Sequence, residues 1–130
     1  YRLLEMKISI KSYLYAAKNM FMSESYLPST AADLNRYTSI VGCYLPLSES
    51  LTNFSKDCIP LSNKLNISSW DSENRLFKIE MISSKTKLNI LAIPYIKENK
   101  GINGCFYSDT GIIKITTFKG ENLKNKIYDC

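Results

Sequence analysis

The sequence predicts an α+β fold: one long N-terminal helix packed on a four-stranded antiparallel sheet, within a single domain. Three observations lead there. Over 1–25 the apolar residues recur at intervals of three and four, the period of a helix. From 76 onward they recur at alternate positions in short runs parted by turn residues, the period of strands. Between the two, 26–75 is rich in Ser and Asn and holds neither period for long. A run of helix followed by a run of strands buries its apolar surface by laying the helix on the sheet.

The helix, 1–25, reads as about seven turns. Leu3, Met6, Ile10, Tyr13, Ala17 and Met20 fall on one face, which suits a sheet. A second line, Tyr1, Ile8, Tyr15 and Met22, recurs every seven residues on a different flank. Glu5, Ser9, Ser12, Asn19 and Ser23 make a polar strip on one side of that line. Lys7, Lys11 and Lys18 lie on the other, where their stems still cover apolar surface. An apolar surface this wide needs a second cover, either a neighbouring molecule or loops from the following residues. Pro28 stops the helix, since its ring lacks an N–H and restricts Leu27.

The region 26–75 is expected to link helix to sheet. Ser29 or Thr30 can cap a short second helix that ends near Asn35, with Asp33 close to its positive end. The rest is read as irregular, with TSIVGCYLPL a strand broken by Pro46. The lone Trp70 is assigned to the core or to a sheet edge.

The region 76–130 holds the sheet and a tail. RLFKIEMIS places Phe77, Ile79 and Met81 on one side, and KTKLNILAIPY does the same with Leu88, Ile90 and Ala92, so the two should pair around Ser83-Ser84. A short strand is expected at 105–107 and another at 112–118, joined by the SDTG turn that ends in Gly111.

The chain has 130 residues, enough for one domain with a core of its own. Its 17 basic and 12 acidic residues leave a charge of +5, a mild preference for anionic partners. Lys85, Lys87, Lys97, Lys100, Lys114, Lys119, Lys124 and Lys126 fall in the last third; if they converge, they would hold DNA phosphates, with Tyr95, Phe106 and Tyr107 available to stack on bases. The four cysteines, Cys43, Cys58, Cys105 and Cys130, lack the close pairs of a zinc site, and there is no His to complete one. Disulfides and an oxidising compartment follow. Spacing alone leaves three connectivities open; pairing of chain neighbours, Cys43 with Cys58 and Cys105 with Cys130, is preferred because each closes a loop of moderate length. No stretch reaches the ~18 apolar residues of a membrane span. An oxidised, exported domain that begins without an export signal is expected to have been trimmed, with something preceding Tyr1.

Catalytic patterns are not found. With no His there is no His-based triad or general base. The glycines are scattered as turn residues rather than gathered in a phosphate loop. Asp71 and Glu73 read as a solvated turn, and neighbouring Ser and Lys at 62–64 and 83–85 as chance. A non-enzyme without cofactor or metal is the expectation.

The stretch KSYLYAAKNMFMSESYLPSTAADLNRY, an amphipathic helix running to a Tyr, then Pro, small residues and Asp-Leu, resembles the soluble part of a type IV pilin or of a type II secretion pseudopilin. GCFYSDTGIIKI followed by a cysteine near the end is also similar. The resemblance implies a major or minor pilin of an extracellular, cell-surface filament, whose absent N-terminal half-helix holds it in the inner membrane before assembly. It implies other pilin subunits as partners, and adhesion to a host ligand or DNA uptake as possible roles. In many such proteins a cystine staples the C-terminal region to the sheet, which would be Cys105 with Cys130 here.

Overall fold

The computed structural model describes residues 2–44, 60–61, 65–96, 98–119 and 130. Helix α1, Arg2–Glu24, is the N-terminal rod. Met6, Ile10, Tyr13, Ala17 and Met20 are buried and Leu3 is half-buried, so the first apolar line is the core face, joined there by Leu14 and Ala16. Beyond Glu24, Ser25 takes a left-handed conformation (φ 62°) and its N–H donates to the Phe21 carbonyl at 2.8 Å, which ends the helix. A carboxylate at this negative end opposes the helix dipole. Glu24 is held there by three donors: the Tyr26 hydroxyl (3.0 Å), the Tyr37 hydroxyl (2.6 Å) and the Arg36 guanidinium.

Helix α2, Ala31–Asn35, follows as expected. Thr30 sits at its N-cap without a side-chain bond; Asp33 instead accepts from the Ser29 N–H (2.9 Å) and hydroxyl (3.3 Å). The Ala31 and Ala32 N–H groups donate to the Ile67 and Leu65 carbonyls at 2.7 and 2.9 Å, pinning α2 to the chain that enters the sheet.

The sheet is an antiparallel meander in chain order: β1 Ser69–Asp71, β2 Phe77–Ser83, β3 Lys87–Pro94, β4 Lys100–Tyr107 and β5 Ile112–Lys119. It has five strands, not four. The added strand, β1, is three residues long, too short to show a period, and pairs Trp70 with Ile79. Strand β4 begins at Lys100 rather than 105. Its Gly101 and Gly104 weaken the strand signal, but both are required by packing. A Cβ on Gly101 would meet the Phe118 ring at 2.5 Å; one on Gly104 would meet Ile10 Cγ2 and Leu14 Cδ1, each at 2.7 Å. Gly104 is where α1 comes down on the sheet. Gly111 takes the positive φ (76°) of the last turn.

One face of the sheet, with Phe77, Ile79, Met81, Leu88, Ile90, Ala92, Ile102 and Phe106, packs under α1 in a single core. The opposite face is also buried at Asn89, Leu91, Asn103 and Cys105. Asn89 donates to the Asn103 side-chain carbonyl at 3.1 Å, so neither amide is buried unsatisfied. Cys105 is disulfide-bonded to Cys130, 25 positions on, which holds the C-terminal residue against β4. Replacing both cysteines by serine is expected to cost about 3 kcal/mol, read as a lower denaturant midpoint. At the other edge Cys43 exchanges N–H and carbonyl bonds with Asp71 (2.8 and 3.0 Å), extending the sheet past β1 by one bridge. Of the strand expected over 38–47, residues 38–44 form no more than this bridge, and Pro46 lies outside the described residues. Cys43 is disulfide-bonded; its expected partner, Cys58, lies outside the described residues. Among the described residues no helix is long and apolar enough to cross a membrane.

Candidate interaction surface

The two apolar lines of α1 have opposite fates. While the first is buried, Ile8 is 62%, Tyr15 49% and Met22 73% exposed, and Leu4, one turn before Ile8, is 58% exposed. Tyr1, the predicted head of this second line, lies outside the described residues. The line runs along the outer flank of the helix as a row of large side chains open to solvent.

Each side of that row is a depression. Toward β5 a groove of about 460 Å³ is lined by Leu4, Lys7, Lys11, Tyr15, Ile113 and Ile115, all apolar or basic apart from the tyrosine hydroxyl. On the other side a cleft of about 390 Å³ lies between α1 and the chain around Ser39 and 72–74. Its rim is polar and acidic, with Glu5, Ser9 and Ser12 from the helix and Glu73 and Asn74 from the β1–β2 connection. Ile8 lines both depressions and forms the crest between them. The Ser12 and Thr38 hydroxyls, 3.0 Å apart, tie the helix to the segment after α2.

Tyr13 forms the floor of the acidic cleft, with its ring edge-to-face against Trp70 at 6.1 Å. Burial pushes its phenol above the ordinary tyrosine value, and a hydrogen bond with the Val41 backbone opposes part of that shift. A raised folded pKa gives stability that is whole below the unfolded tyrosine's pKa of about 10 and is lost as pH rises through the folded value. Stability should therefore fall as pH rises through and above about 10. Tyr13→Phe should reduce that slope and, below it, cost about 1 kcal/mol for the hydrogen bond. Denaturant midpoints across this range check both.

The predicted lysines among the described residues fall at three places on the sheet. Lys85 and Lys87 lie at the β2–β3 turn, with the Lys87 ammonium 5.8 Å from the centre of the Tyr107 ring. Lys100 and Lys119 are cross-strand partners at the far end of the sheet, and Lys114 pairs with Cys105 part-way along β5. The two ends are separated by most of the length of β4, about 23 Å. Lys97, Lys124 and Lys126 lie outside the described residues. Tyr95 is engaged elsewhere, donating its hydroxyl to the buried Asp71, and Phe106 is buried under the helix. Among the described residues no cluster of His, Cys, Asp and Glu is placed to hold a metal ion.

Sequence reasoning found Ile8, Tyr15 and Met22 but passed over Leu4, whose four-residue spacing from Ile8 was the available signal. Ile113 and Ile115 join the groove only through the pairing of β5 with β4, which no local pattern announces. No protein-family model matches the chain, and no curated protein or solved structure matches it either.

Proposed function

We propose that this chain is the globular part of a structural subunit, a pilin of type IV pilus-like filaments at the bacterial surface. Copies assemble through α1 and an apolar segment ahead of it, which holds the subunit in the inner membrane beforehand. The observation that carries this reading is the exposed row Ile8, Tyr15 and Met22 on a helix whose other apolar line is already buried. Covering an Ile or Met side chain is worth roughly 1.5–3 kcal/mol, and seven-residue spacing keeps a row aligned along a rod, where another rod can pack against it. Two further features fit a pilin: the helix laid on an antiparallel meander, and the cystine that fastens Cys130 to β4. The proposed role is mechanical and involves no catalytic step.

Immunogold electron microscopy with an antibody to this domain tests it on cells that express the full-length gene. Gold along thin surface filaments, lost on deletion of the gene, is the expected result. Gold on the envelope or in the medium with no filament would overturn it in favour of a pseudopilin or a secreted binding module.

A further inference from the structure

We infer that successive copies join through two different flanks of α1, the acidic cleft of one receiving Lys7 and Lys11 of the next. This names the contact within the filament reading above and rests on it. The depression on one side of the Ile8 crest is bounded by Glu5 and Glu73, with no basic residue among the described residues that line it. The depression on the other side is bounded by Lys7 and Lys11, with no acidic residue among the described residues that line it. All four charged side chains are exposed, and none forms an ion pair with a described residue. Among the described residues one helix thus separates two depressions of opposite charge.

A second copy is the occupant that this charge pattern fits. Lys7 and Lys11 are one helical turn apart and project from the same side of the rod. Their stems are long enough to cross a neighbour's Ile8 crest and bring the ammonium groups between Glu5 on the helix and Glu73 on the β1–β2 connection. The Ser9 and Ser12 hydroxyls on the rim can accept remaining ammonium protons. Apolar surface is covered in the same step, because the crest residue Ile8 of one copy enters the Leu4, Ile113 and Ile115 groove of the other.

The contact is heterologous: it joins a flank to a different flank, so each added copy presents the vacant flank again. Such a contact does not close into a two-fold dimer, and wherever its rotation does not close a ring it propagates as a filament. Its electrostatic part should weaken between about 0.1 M and about 1 M salt, as the screening length falls from about 10 Å to about 3 Å.

The test uses the full-length gene in cells that assemble filaments, with two variants. One carries Lys7→Glu and Lys11→Glu, so that both flanks are acidic; the other carries Glu5→Lys and Glu73→Lys, so that both are basic. Each alone should lower filaments per cell about tenfold or more, since like charges then face each other at every contact. Co-expressed, the two should restore filaments to within about twofold of the native count, because acidic and basic copies can alternate. Misfolded variants could not rescue each other in this way. Native-like filaments from either variant alone, or no rescue on co-expression, would overturn this contact and leave the filament reading standing. Absence of filaments from the native gene would overturn both.

Discussion

Truncation of Trp70 to alanine is expected to cost about 4 kcal/mol, the largest loss of stability from any one side chain discussed. Trp70 is 1% exposed and is the only large apolar residue of β1. It packs edge-to-face on Tyr13 of the helix, and its Cδ1 would lie 2.7 Å from a Cβ on Gly42, so it joins α1, β1 and the Cys43 bridge in one contact. Removing it leaves a cavity that β1, three residues long and pinned by its pairing with β2, cannot close. A thermal melt should shift down by about 15 °C. Trp70→Phe should cost about half as much. It keeps a ring at the site and removes an indole N–H that is buried without a hydrogen-bond partner in the described structure.

The second large effect is on assembly rather than stability. Ile8→Asp is expected to leave the fold within about 0.5 kcal/mol of native, since the side chain is exposed. The same change should abolish filaments. In the assembled state the new carboxylate would be desolvated against apolar surface without a partner, a penalty of several kcal/mol repeated at every contact. Ile96→Asp, on a residue 52% exposed in the β3–β4 connection, supplies the comparison and should leave filament counts unchanged. Filament counts by negative-stain microscopy, with the melting temperature of each purified domain beside them, separate loss of assembly from loss of fold.

How far the fold could be read from the sequence depended on whether a residue's role was periodic. The core face of α1 and the inward residues of β2 and β3 were legible, because burial on one side of a regular element leaves a repeating mark: Phe77, Ile79 and Met81 oppose Pro94, Ala92 and Ile90 in the register that alternation implies. Strand β1 was not legible. Its three residues include a buried aspartate, Asp71, and its strand character comes from pairing with β2 and Cys43, a long-range fact. The first half of β4 was masked by its glycines, whose small size answers to Phe118 and to the helix rather than to strand propensity. For the interaction surface, the exposed row was visible as a seven-residue repeat. The opposite charges of its two flanks were half visible, in the lysines and the polar strip of the helix. Glu73 enters only because the β1–β2 connection folds back beside α1.

The outer flank of α1 as the surface between copies is tested most directly by hydroxyl-radical footprinting of Tyr15 and Met22 in sheared filaments and in the detergent-dispersed subunit. Both side chains should be labelled in the dispersed subunit, where they are 49% and 73% exposed, and protected at least about fivefold in the filament. Equal labelling of Tyr15 and Met22 in the two states would contradict it.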